Sequence, residues 1–113
     1  MEFRGYLLHQ LALQQAESDR PYLEFLRVPS MSVGLYVLPA GGEDKQLPHS
    51  EDEVYYVVEG RSRFMAGQMH VDVEPGAVLF VAKEVEHRFY DISETMRILV
   101  FFAPAEYSLA QKA

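Results

Sequence analysis

The sequence predicts an all-β domain, a sandwich or barrel of short strands preceded by one short helix. Three observations carry this. Short runs rich in Val, Tyr and Phe recur at regular spacing from Tyr22 onward, as the strands of a small sandwich or barrel do. Gly and Pro punctuate the spaces between them, and seven Gly, six Pro, seven Tyr and seven Phe favour strands and tight turns over a helical bundle. Within the runs apolar and polar residues alternate, as in Met69-His70-Val71-Asp72-Val73-Glu74.

The elements follow in order. Between Tyr6 and Ala16 the apolar residues Leu7, Leu8, Leu11 and Leu13 fall roughly on one helical face, opposite Gln10, Gln14 and Gln15, so a short helix is expected. Ser18, Asp19, Arg20 and Pro21 end it, because proline disfavours α geometry at the residue before it. Strands are then expected at 22–28, 31–38, 53–59, 61–65, 69–74, 77–81, 87–90 and 96–102. Pro29-Ser30, Pro39 to Gly42, Gly60, Gly67, Pro75-Gly76, Lys83-Glu84 and Ser93-Glu94 separate them. The tail 103–113, with Pro104 and a polar end at Gln111-Lys112, is expected to pack only in part.

Length and charge narrow the function classes. A chain of 113 residues has room for one domain, 1–113, and a 49% hydrophobic content supplies an ordinary core. The formal charge of −7, from 17 acidic against 10 basic residues, repels phosphate backbones and anionic lipid, so neither nucleic acid nor membrane is an expected partner. No apolar run is long enough to span a bilayer, and the first twenty residues lack a small-residue cleavage pattern, which together suggest a cytoplasmic protein. Without cysteine there is no disulfide, thiolate ligand or Cys nucleophile. No phosphate-binding loop and no G-x-S-x-G elbow is present either.

The residues that carry chemistry lie around the stretch from Gly41 to Gly60 and in VEHRFYD. Glu53 is in phase with Tyr55 and Val57, and His87 with Phe89. A carboxylate and an imidazole aligned with aromatic neighbours fit an enclosed polar site with apolar walls. They also fit a surface acid at a strand start and a half-buried histidine in a hydrogen bond. His49, four residues before Glu53, adds a second imidazole. His70 shares a face with Asp72 and Glu74 and is expected in solvent, as is His9 in the helix. The acidic run Glu51-Asp52-Glu53 supplies too few oxygens at suitable spacing for a calcium loop.

Two spacings in these stretches resemble the paired motifs of the cupin family. In the first, Gly41 is followed by five residues, Leu47-Pro48-His49, three residues, Glu53, six residues and Gly60. Leu47 stands where the family's first His would be. In the second, Gly76 is followed by five residues, Ala82-Lys83-Glu84, two residues, His87, three residues and Asp91, with Ala82, Glu84 and Asp91 departing from the family's Pro, Gly and Asn. The 15 residues from Arg61 to Pro75 separate the motifs. The resemblance implies an antiparallel jelly-roll β-barrel over about 22–106, after a leading segment 1–21, with His49, Glu53 and His87 as ligands of one divalent metal ion. Leucine has no lone pair, so either the site keeps three protein ligands or Gln46 brings in its amide oxygen. The first is favoured, because Gln46 is one residue out of register. Tyr55, Phe64 and Phe89 are candidate substrate-pocket walls by phase, and equally suit plain core packing.

Two imidazoles and one carboxylate suit non-haem Fe(II), leaving positions open for substrate and oxygen, but also bind Mn, Zn, Ni or Co. The family resemblance is compatible with oxygenase, isomerase or lyase chemistry on a small organic molecule, and equally with a non-catalytic module that binds or senses a small ligand, with or without metal. It also implies a homodimer. The leucines of the N-terminal segment need an apolar surface, on their own barrel or a neighbour's.

Overall fold

The computed structural model describes residues 2–110 and contains, among them, one helix, α1 (Leu8–Glu17), and six strands. The strands are β1 (Tyr22–Val28), β2 (Met31–Leu38), β3 (Asp52–Ala66), β4 (Met69–Val73), β5 (Val78–Val81) and β6 (His87–Ala103). All pairings are antiparallel, in the order β1-β2-β6-β3-β4, with β5 against the first half of β3. The polar end at Gln111-Lys112 lies outside the described residues. Among the described residues no helix is long and apolar enough to cross a membrane.

Two expected breaks are not strand ends. Gly60 lies inside β3 and Ser93-Glu94 inside β6, so four expected strands are two long ones. The register between β3 and β6 slips at Val57/Glu59, Glu59/Arg61 and Arg61/Arg63, marking bulges where the ribbon bends. Gly60 has φ +97, and a Cβ there would lie 2.5 Å from the Thr95 carbonyl oxygen and 2.6 Å from Met96 Cα. A glycine in a strand can therefore mark a bend as well as an end.

The bend decides what meets what. Glu53 pairs with Phe102 and His87 with Ala66, at opposite ends of the β3/β6 ribbon. Thirteen residues of straight strand would put these ends about 43 Å apart at ~3.3 Å per residue. Instead His87 Nε2 lies 2.7 Å from Glu53 Oε1, so the ribbon has coiled back on itself. The coiled sheet is not closed, since β1 and β4 each keep a free edge.

The inner face carries the core, with Tyr55, Val57, Phe64, Phe89, Met96, Ile98 and Phe102 all buried. The outer face of β1 and β2 is covered by α1, whose Leu11 is buried while Leu13, and Leu7 just before the helix, stay exposed. The helix thus covers its own sheet. In the edge strand β4 only Val73 reaches the core, and Met69 and Val71 remain exposed. His70 and His9 are exposed, as alternation and helical phase require, and the His70 ring meets the Tyr90 hydroxyl at 2.7 Å.

Candidate metal centre

His49 comes from the 39–51 loop, Glu53 from the start of β3 and His87 from the start of β6, and one potential ligand atom from each lies within 4.8 Å of the others. Glu53 and His87 are buried and His49 is nearly so. His49 Nδ1 stands 3.2 Å from Glu53 Oε1, the same oxygen that His87 Nε2 approaches to 2.7 Å. The second contact is close but not oriented as a hydrogen bond. His87 Nε2 and Glu53 Oε2 are both buried without a hydrogen-bond partner.

The His87 tautomer follows from its other nitrogen. Nδ1 lies 2.8 Å from the Val85 carbonyl oxygen, which can only accept, so Nδ1 carries the hydrogen. In the neutral ring Nε2 then presents a lone pair toward Glu53, the arrangement that orients a metal-bound imidazole. Buried polar atoms without partners are rare. Here two such atoms belong to a cluster of two imidazoles and a carboxylate, so the donor set fits a transition-metal ion.

Several bonds fix the loop that delivers His49. Glu84 N–H donates to the His49 carbonyl oxygen at 2.7 Å, and Lys83 N–H to Asp52 Oδ1 at 2.8 Å. Glu84 stands where the family motif has glycine and adopts φ +67, a left-handed conformation that glycine enters without strain. Buried Asp44 latches the middle of the loop, accepting from Tyr36 Oη at 2.6 Å, Gln46 Nε2 at 2.8 Å and Phe89 N–H at 2.9 Å. That last bond ties the loop to β6 two residues beyond His87.

Gln46 and Leu47 make their contacts away from the trio. Gln46 Oε1 accepts from Tyr55 Oη at 3.0 Å while its Nε2 bonds Asp44. Leu47 is 79% exposed, in the wall of a cavity. The cavity holds about 540 Å³ and is also lined by Tyr22, Tyr36, Gln46, His49, Phe102 and Glu106. Tyr22 packs against Gly34, where any Cβ would fall 2.2 Å from its ring. Tyr55, Phe64 and Phe89, expected as pocket walls, instead pack on one another behind His87, with centroids 4.7–5.8 Å apart. Their phase gave the buried face correctly, but on that face they meet one another and the His87 ring, while the cavity is lined by other residues.

Two carboxylates were missed by sequence reasoning. Glu106 Oε2 lies 3.2 Å from His49 Nε2, and buried Glu51 accepts from the backbone N–H groups of Tyr107 and Leu109 at 2.7 and 2.9 Å. Neither belongs to a spaced motif, and a lone acid after Pro104 carries no signal of where the tail will dock. Electrostatics reflect the cluster. Burial works to lower the His49 pKa, but the Glu106 and Glu53 carboxylates outweigh it and raise the value to about 9. Burial likewise opposes the charge on Glu53, and the two imidazoles outweigh it and hold the carboxyl below its usual range. His87 is raised, again against burial, mainly by Glu53.

A family model described as a cupin domain matches residues 34–102, which include both motifs and all three clustered side chains. This chain belongs to the cupin family. An uncharacterized protein of Streptomyces coelicolor is 46% identical to this cupin over 103 residues, covering 91% of this chain and 98% of its own. The crystal structure of TT1209 from Thermus thermophilus superposes with a TM-score of 0.70 at 25% identity, covering 93% of this cupin and 99% of that chain. A cupin 2 conserved barrel domain protein from Rhodopseudomonas palustris superposes at 0.66 with 15% identity, over 79% and 67% of the two chains, which shows the shared fold.

Proposed function

We propose that this cupin is a metal-dependent enzyme acting on a small organic molecule, by dioxygenase, isomerase or lyase chemistry. The observation that carries the reading is the trio His49, Glu53 and His87, with buried unpaired atoms on His87 and Glu53, at the end of a cavity that His49 lines. A divalent ion held there would supply a Lewis acid or a redox centre, with coordination positions beyond the three protein donors. The chain's own groups shape the rest of the reaction space. Phe102 and Val100 give the cavity an apolar wall, and the Tyr22 hydroxyl, buried without a partner, offers a hydrogen bond to a substrate. A volume of about 540 Å³ suits a small molecule.

A non-catalytic binding module is the second reading, and one observation favours it. His49 already sits between two carboxylates, an arrangement that is electrostatically satisfied by a proton alone. Elemental analysis of protein never exposed to a metal-affinity column separates the possibilities. About one transition-metal ion per chain, lost in His49→Ala and His87→Ala, is expected, and metal-free protein would overturn the metal centre. Fe(II)-loaded protein is then assayed for dioxygen consumption with phenols, diketones, thiols and sugar acids, and the other metal forms for conversion of the same compounds. Metal retention without turnover would favour the binding module.

We propose in addition that the protein is a homodimer. The exposed apolar residues Leu7 just before α1, Leu13 within it, and Tyr56, Val78 and Phe80 on the outer sheet face support this. Light scattering on the eluting protein is expected to return twice the 12.9 kDa chain mass, and a monomer mass would refute it.

A further inference from the structure

The segment after β6 brings one carboxylate to the rim of the cavity, and its backbone is fixed independently of that side chain. Glu106 N–H donates to Ser32 Oγ at 2.9 Å, and Arg27 Nη2 donates to the Glu106 carbonyl oxygen at 2.7 Å. The following turn is pinned by Glu51, which accepts from Tyr107 and Leu109 N–H. These anchors come from β1, β2 and the loop just past His49. The Glu106 side chain makes none of them, yet it is nearly buried and points at His49.

We propose that Glu106 is a positioning residue of the metal centre: its carboxylate holds the outer nitrogen of the His49 ring, so that the opposite nitrogen faces Glu53 and His87. The inference rests on reading those three residues as a metal centre, and adds a residue from outside both cupin motifs.

The geometry separates this role from that of a fourth ligand. The ring places Nδ1 3.2 Å from Glu53 and Nε2 3.2 Å from Glu106, on opposite edges, and the compact trio does not include Glu106. An imidazole gives a metal ion one nitrogen. A carboxylate can only accept, so the nitrogen facing Glu106 carries a hydrogen, and in the neutral ring the inward nitrogen then presents its lone pair to the cluster. His87 is oriented in the same manner by the Val85 carbonyl. Each imidazole thus has its outer nitrogen occupied, one by a backbone oxygen and one by Glu106. The two supports differ in kind, because a side-chain carboxylate can be changed without disturbing the strand.

Zinc affinity by competition with a chromophoric chelator, and the visible spectrum of the Co(II) form, test the proposal on wild type, Glu106→Ala and Glu106→Gln. Removing such an outer partner weakens metal binding by about 10–100-fold, and this is the loss expected for Glu106→Ala, with an altered Co(II) band. Glu106→Gln, whose amide oxygen still accepts, is expected to recover part of the affinity. Wild-type affinity and an unchanged Co(II) spectrum in Glu106→Ala would overturn the inference alone, while a wild type that takes up neither ion overturns the metal centre and the inference with it. Nitrogen-15 NMR of the zinc-loaded wild type needs no variant. A His49 ring N–H protected from exchange is expected, and a freely exchanging one would count against Glu106.

Discussion

Glu53 is the residue on which the site converges, since one of its oxygens faces both imidazoles and the other is buried without a partner. Replacing it by glutamine leaves the shape but removes the charge that balances His49 and His87. Breaking one side of a buried ionic cluster costs about 3–5 kcal/mol, so Glu53→Gln is expected to lower denaturant stability by that order and to abolish metal retention in elemental analysis. The pH dependence follows from the same three groups. The raised His49 and His87 contribute stability that is fully present below their unfolded value of 6.5 and is lost as pH rises, for His49 through about 9. The lowered Glu53 contributes stability present above its unfolded value of 4.5 and lost as pH falls below it. Metal-free protein is thus expected to melt highest between 4.5 and 6.5. Metal binding displaces the His49 proton, so zinc affinity measured by chelator competition should instead climb from pH 6.5 toward 9.

Among the elements, the β3/β6 ribbon and the 39–51 loop do the positioning. At Gly60 any Cβ would collide with the backbone of Thr95 and Met96, and the φ of +97 is strained for every other residue. The strain alone is of order 1–3 kcal/mol, and Gly60→Ala is expected to exceed it in urea unfolding because the two nearest atoms are backbone and cannot swing aside. Asp44→Ala removes the acceptor shared by Tyr36, Gln46 and Phe89. Leaving a buried backbone donor unsatisfied costs about 1–3 kcal/mol, and the freed loop should also weaken zinc binding, readable in one titration beside wild type. The strands were largely legible because alternation and turn residues mark them locally. Their joining into two long strands was not, because a bulge and a strand end both call for a glycine or a polar pair.

Across the whole molecule, the trio ties a loop to both ends of the coiled ribbon, so a bound ion should stabilise the entire fold. Binding to the native state alone contributes about 2.7 kcal/mol at a hundredfold excess over the dissociation constant. The melting temperature is therefore expected to rise with added zinc and fall with chelator, and His87→Ala should be insensitive to both. By itself the sequence determined the all-β class, the N-terminal helix and the identity of His49, Glu53 and His87, because strand periodicity and motif spacing are local properties of the chain. Tertiary structure alone decided that the aromatics in phase with them lie behind the site, that Gln46 is engaged by Tyr55 and Asp44, and that Glu106 meets His49. These depend on how far the ribbon coils and where the tail docks. Both arise from contacts between residues distant in sequence, which no spacing records.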